Sequence, residues 1–148
     1  MSHQVLSVAR LYDGQQEYHN VTVEIAQQQI HTIRPHRADD PPIQTGLLVP
    51  GFVDIQVNGG GGVLFNAAPS VATLTTMLQA HAQFGTTAML PTVITDTLNV
   101  MQQAAEAVAQ IRQQRPHQIL GIHFEGPHIS QAKKGAHCSG FIRPLGDA

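Results

Sequence analysis

The spacing of hydrophobic positions changes once along this chain, near Leu47. Before that point apolar and polar residues alternate. In Val21-Thr22-Val23-Glu24-Ile25 the three apolar side chains face one way and Thr22 and Glu24 the other. This period of two belongs to a half-buried antiparallel strand. Residues 4–10 and 29–33 are also short, β-branched and partly alternating. Asp13-Gly14 marks a turn before the clearest run, and Ala26 to Gln28 a short turn after it. The pattern predicts a small N-terminal β element, domain 1–46. Its last part, residues 34–44 with Asp39-Asp40-Pro41-Pro42, reads as a loop or linker.

After Gly46 the apolar residues form longer runs. Leu47 to Val57 is nearly continuous, and within it Phe52 to Val57 predicts a buried parallel strand running into Asn58-Gly59-Gly60-Gly61-Gly62. Ser70 is an N-cap type. The helix after it, over 71–84, places Leu74, Met77, Leu78, His81 and Phe84 on one face and stops at Gly85. Residues 86–91 predict a second buried strand. A second helix runs from a cap at Asp96 to about Gln114, with Leu98, Met101, Ala105, Val108 and Ile111 as its buried stripe and Pro116 beyond its end. Ile119 to Glu125 predicts a third strand, stopped at Gly126-Pro127. Strand, helix, strand, helix, strand in domain 47–148 implies right-handed crossovers and a parallel sheet. It fits an open doubly wound sheet or a closed barrel equally. No repeat is visible beyond this alternation.

Composition narrows the functional classes. The 148 residues are 42% hydrophobic and 12% charged, with a net charge of -2. That suits an enzyme-like α/β chain and offers no basic footprint for nucleic acid. The two lysines, Lys133 and Lys134, are adjacent, and there is no Trp. A single cysteine, Cys138, fits a reducing compartment. The start, Met-Ser-His-Gln-Val-Leu, lacks the basic and apolar segments of a secretory signal, and no apolar run approaches the roughly 18 residues of a membrane span. The expectation is a cytoplasmic protein without a membrane segment.

Polar groups collect at the C-terminal ends of the three predicted strands, where parallel α/β proteins bind ligands and metals. Gln56 and Asn58 are alternate residues on the first and reach the same space. Thr92 and Thr95 end the second, and Glu125 the third, with His123 and His128 close by in sequence. A lone Glu at a strand tip also reads as a loop cap. The neighbouring histidines and the polar loop behind it favour a site. Hydrolysis of an unreactive amide needs a polarised carbonyl and an activated water, which a metal held by carboxylate and histidine supplies. Glu125 suits direct ligation. Gln56 and Asn58 carry amides, weak ligands, and suit contacts behind the metal or on the substrate. The loop Lys133-Lys134-Gly135-Ala136-His137 suits an anionic or hydroxylated ligand, or is simply a solvated basic loop. The glycine run lacks the Lys-Ser/Thr ending of a P-loop and reads as a tight loop. His81 reads as a packed helix residue. No Ser-His-Asp arrangement is visible.

Pro50-Gly51-Phe52-Val53-Asp54-Ile55-Gln56-Val57-Asn58-Gly59, Gly62-Val63-Leu64-Phe65-Asn66, His123-Phe124-Glu125-Gly126-Pro127 and Lys133-Lys134-Gly135-Ala136-His137 resemble, in order and spacing, the N-terminal part of the N-acetylglucosamine-6-phosphate deacetylase family of the amidohydrolase superfamily. The resemblance implies a (β/α)8 TIM-type hydrolase barrel preceded by a small β-sandwich element built from both chain ends. It implies deacetylation of N-acetylglucosamine 6-phosphate to glucosamine 6-phosphate and acetate, in amino-sugar catabolism. By position it puts the metal-ligand glutamate on Glu125 and the substrate-binding loop on Ala136 and His137. Gln56 and Asn58 match the branch in which a first-strand His-x-His is replaced, which implies one divalent metal ion, zinc, rather than two. It further implies a homodimer for the intact enzyme.

The family's histidine metal ligands, catalytic aspartate and phosphate-binding arginine lie further along a longer chain. No catalytic residue is therefore expected among these 148, and three strands cannot close a barrel of roughly 250 residues. The expectation is a fragment, inactive alone. Two alternatives remain: a non-catalytic remnant that folds only by association, and an amidohydrolase acting on a cyclic amide.

Overall fold

The alternating residues of the N-terminal part form a four-stranded sheet. The computed structural model describes residues 3–146, and the chain divides into two compact units after Pro50.

In the first unit β1 (His3–Tyr12), β2 (Glu17–Ala26), β3 (Gln29–Pro35) and β4 (Gln44–Leu48) lie in the order β3-β2-β1-β4. The first three pair antiparallel, and β4 runs parallel to β1. The Asp13 carboxylate accepts from the N–H groups of Gln15 and Gln16 at 2.8 and 2.9 Å, which fixes the first turn. Gln27 and Gln28 both take positive φ in the second turn, the conformation that matches strand twist in a two-residue hairpin. Val8, Leu11, Val21 and Val23 form the core of this unit.

Two expectations are corrected here. Thr22, expected to face outward, is fully buried. Its hydroxyl pairs with Ser7 at 3.0 Å and donates to Asp40 Oδ2 at 2.9 Å. The loop read as a linker thus covers the second face of the sheet and is pinned by charge. Arg34 reaches Asp40 through two bonds of 2.6 Å and Glu24 through one of 2.7 Å. The guanidinium of Arg34, followed by the Arg37 N–H and the Thr22 hydroxyl, holds the Asp40 carboxyl well below the usual carboxylate range against the opposing effect of its burial. Secondly, Leu47 and Leu48 continue β4, opposite Arg10 and Leu11. The division therefore falls after Pro50 rather than after Gly46. Pro50 offers no N–H to continue a ladder, and it separates the two apolar runs that read as one.

The second unit begins with β5 (Phe52–Val57). A small hairpin of β6 (Gly59–Gly60) and β7 (Val63–Leu64) follows, then α1 (Val71–Ala82), β8 (Thr86–Ile94), α2 (Leu98–Gln114) and β9 (His123–Glu125). The sheet order is β5-β8-β9, all parallel. Phe65, Leu74, Met77, Met89, Val93, Ala104, Val108, Ile111 and Ile119 form one core beside it. Ser70 caps α1, accepting from the Thr73 N–H at 3.2 Å.

The three strands form an open sheet, as expected of a number too small to close a barrel, but the burial predicted for β5 is not met. Only Val57 of β5 is buried, while Phe52 and Ile55 are 63% and 67% exposed. An apolar run reports what a strand can bury, and nothing among the described residues covers this one. Phe84 lies past the end of α1 and is 79% exposed. Thr97, not Asp96, caps α2 by accepting from the Val100 N–H at 3.3 Å. Its buried stripe is Met101, Ala104, Ala107, Val108 and Ile111, with Leu98 exposed. β8 continues through Pro91 to Ile94. The ladder to β5 shifts register there, and Thr92 Oγ1 accepts the Val57 N–H at 3.0 Å in place of a backbone partner. In the third apolar run, Ile119 makes a single bridge to Met89, and the strand proper is three residues long. Among the described residues no helix is long and apolar enough to cross a membrane.

Candidate active site

The C-terminal ends of β5, β8 and β9 open into a cleft of about 540 Å³. Parallel strands carry their last side chains to the same edge, so residues far apart in sequence meet there. Gln56, Asn58, Glu125, Ala136 and His137 all line the cleft, as do Lys133 and Lys134.

Glu125 lies at its centre. Gln56 Nε2 donates to Glu125 Oε2 at 3.0 Å. On the other side His137 Nε2 is 3.3 Å from Glu125 Oε1. The carboxylate is thus held between an amide on β5 and an imidazole on the loop after β9. His137 is itself fixed: its Nδ1 lies 3.0 Å from Thr95 Oγ1, and Thr95 donates to the Glu125 carbonyl at 3.0 Å. The Lys134 ammonium donates to the His137 carbonyl at 3.2 Å. Gly126 is required beside Thr95. It has φ of 97°, and a Cβ at that position would lie 2.0 Å from Thr95 Oγ1.

Asn66 is the residue that periodicity and spacing did not single out. Its carboxamide accepts the Ile94 N–H at 3.0 Å and donates to the Ile94 carbonyl at 3.2 Å and to Asp96 Oδ2 at 3.0 Å. It closes the free end of β8 and so steadies the backbone that carries Thr95. The only sequence signal for it is its place in the Gly62-to-Asn66 motif. His123 and His128, adjacent to Glu125 in sequence, do not join the cleft. His123 Nδ1 donates to the Ile55 carbonyl at 3.2 Å, and His128 Nδ1 to the Arg143 carbonyl at 3.0 Å. Both tie backbone segments together.

Among the described residues no three His, Cys, Asp or Glu side chains come close enough to hold a metal ion. The cleft offers one carboxylate, Glu125, one imidazole, His137, and the three carboxamides of Gln56, Asn58 and Asn66. A zinc site takes three or four nitrogen, sulfur or carboxylate ligands. These residues therefore do not complete such a site.

Known proteins share much of this chain's sequence and fold. No family model matches the chain. The N-acetylgalactosamine-6-phosphate deacetylase of Shewanella sp. (strain ANA-3) is 57% identical over 110 residues, which cover 73% of this chain and 28% of that protein. The N-acetylglucosamine-6-phosphate deacetylase of Haemophilus influenzae is 39% identical over 103 residues, 70% of this chain and 27% of that one. In sequence the chain corresponds to the N-terminal part of these deacetylases.

The fold agrees. The crystal structure of N-acetylglucosamine-6-phosphate deacetylase from Pasteurella multocida matches with a TM-score of 0.82 and 33% identity, over 95% of this chain and 39% of that one. The enzyme from Thermotoga maritima matches with the same TM-score and 27% identity, over 97% and 38%. The chain therefore spans less than two fifths of the length of each of these proteins. They are deacetylases of the amidohydrolase family with an N-terminal sheet domain.

Proposed function

We propose that this sequence is the N-terminal part of an enzyme that hydrolyses the acetamide of an N-acetylated amino-sugar 6-phosphate, releasing acetate and the free amine. The observation that carries the reading is the Gln56–Glu125–His137 constellation at one edge of a parallel sheet, in a chain whose curated relatives are named for that reaction. In this reading the open sheet is the first three strands of a (β/α)8 barrel. The four-stranded sheet of domain 1–46, with β4 continuing it to Leu48, is part of a β-sandwich.

Glu125 is the ligand this chain brings to one divalent metal ion, zinc, and the other ligands come from outside the described residues. When bound, such an ion supplies a polarised carbonyl and an activated water. This chain's own residues do the rest of the local work. Gln56 holds one carboxylate oxygen of Glu125 so that the other stays aimed into the cleft. His137 and the Ala136 backbone hold the sugar. Lys133 and Lys134 give the cleft rim the positive charge that a phosphate ester requires. The catalytic aspartate is not among these residues. The intact enzyme is a cytoplasmic homodimer in this account.

Two sugar epimers fit. The family resemblance names the gluco epimer, and the 57% identical relative is named for the galacto epimer. A chimera in which this chain replaces the corresponding part of the Pasteurella multocida deacetylase separates them by acetate release. Turnover of either phosphorylated sugar supports the proposal, and the faster one names the substrate. A folded chimera that releases acetate from neither would overturn it.

A second reading rests on the exposed Phe52, Val53 and Ile55 of β5. Here the 148 residues alone are a non-catalytic remnant that stays folded by associating through that strand. Sedimentation that shows a single cooperatively folded monomer at all concentrations would exclude it.

A further inference from the structure

The run Gly59-Gly60-Gly61-Gly62 lets the β6–β7 hairpin lie close against α1. A Cβ on Gly60 would stand 2.6 Å from His81 Nε2, and one on Gly61 2.9 Å from Thr76 Cγ2. His81 Nε2 donates to the Gly59 carbonyl at 2.9 Å and pins the start of the hairpin. At its end the Phe65 N–H donates to the Asn58 carbonyl at 2.8 Å, and the Phe65 side chain is fully buried. Asn66, the next residue, is thereby delivered to the end of β8.

There β8 has outrun its neighbour. β5 ends at Val57, which pairs with Pro91, and Ile94 lies beyond that point. The N–H and C=O of one strand residue face the same side. On Ile94 both go to the Asn66 carboxamide, at 3.0 and 3.2 Å, which takes the place of a further residue of β5. On the opposite side Ile94 stands beside Glu125 in the ladder to β9, and Thr95 donates to the Glu125 carbonyl at 3.0 Å. The backbone of Glu125 therefore hangs on the segment that Asn66 holds.

We infer that Asn66 is a positioning residue: through Ile94 and Thr95 it fixes the backbone from which Glu125 enters the cleft, and the glycine hairpin is the arm that carries it there. Asn66 Nδ2 also donates to Asp96 Oδ2 at 3.0 Å, which sets the sense of the carboxamide. An amide offers an acceptor to the Ile94 N–H and donors to both the Ile94 carbonyl and the Asp96 carboxylate, whereas a carboxylate offers acceptors alone. The inference stands on this geometry, and its consequence for a metal ion rests on the proposed function.

The test is hydrogen exchange followed by mass spectrometry on the full chain, with peptides over 92–96 and 123–126 read against peptides of α2. Asn66→Asp keeps the acceptor for Ile94, loses both donations and sets a second carboxylate against Asp96. Exchange in the two segments should rise about tenfold, as the loss of one or two hydrogen bonds implies, with α2 unchanged. Asn66→Asp combined with Asp96→Asn restores a donor–acceptor pair across the same gap and should bring both segments back towards wild type. Exchange unchanged in both segments of a folded Asn66→Asp, or raised equally in α2, would overturn the inference. Should the single variant not fold, recovery of the fold in the paired variant supports the inference and no recovery overturns it. In the chimeric deacetylase, competition with a chelator should show zinc held about tenfold less tightly in Asn66→Asp and recovered in the paired variant. Zinc binding that falls in Glu125→Gln but not in Asn66→Asp would overturn the inference. If it falls in neither, the metal reading fails, and the exchange result, which needs neither zinc nor turnover, decides the inference by itself.

Discussion

Gln56 and Glu125 are 69 positions apart and share a hydrogen bond of 3.0 Å, amide to carboxylate, across the mouth of the parallel sheet. The bond fixes which oxygen of Glu125 faces the cleft. Gln56→Leu removes it while keeping a side chain of similar size. Loss of a group that orients a metal ligand costs about 10–100-fold in metal affinity. The expected outcome is a loss of that size for zinc in the chimeric enzyme, measured by competition with a chelator.

Gly126→Ala tests the close approach on the other side of the carboxylate. The position has φ of 97°, and the new methyl would meet the Thr95 hydroxyl. A non-glycine residue held in such a conformation costs about 1–3 kcal/mol. Urea unfolding should show a loss of at least that order. Gly14→Ala, at φ of 102° with nothing within 4 Å, should carry only the backbone cost and destabilise less.

The N-terminal sheet should lose stability in acid through Asp40. Arg34 is the main reason its carboxyl lies below the ordinary range, with the Arg37 N–H and Thr22 hydroxyl adding to the effect. A carboxyl depressed in the folded state contributes stability above its unfolded pKa, about 3.9. That contribution is lost as pH falls through the folded value. Thermal melts of wild type and Asp40→Asn should therefore differ most near neutrality and converge in strong acid. A constant difference across that range would show that the ion pair does not drive the pH dependence.

Much of this arrangement is legible in the sequence, and the failures share one cause. Ser70, the three parallel strands and both helices follow from spacing and cap residues, which are local. The cleft follows from the rule that parallel strands deliver their ends to one edge, and Gln56, Asn58, Glu125, Ala136 and His137 do meet there. Periodicity says which residues share a face but not what covers it. Alternation puts Thr22 on an outer face that the Asp40 loop in fact buries, and the apolar run puts Phe52 and Ile55 on a buried strand that nothing among the described residues covers. Sequence adjacency misled in the same way for His123 and His128, whose rings go to backbone carbonyls. Asn66 carries no local signal, because its partners, the backbone of Ile94 and the Asp96 carboxylate, lie about thirty residues away.

The most direct test of the account is Glu125→Gln in the chimeric deacetylase. The substitution keeps the volume of the side chain and removes its charge. Zinc content and acetate release from both amino-sugar 6-phosphates are measured on the same preparation. The account predicts that bound zinc and turnover are lost together, while the urea midpoint of the metal-free protein stays close to that of the metal-free parent. Zinc retained with full acetate release would contradict it, since Glu125 would then be neither the metal ligand nor needed for deacetylation.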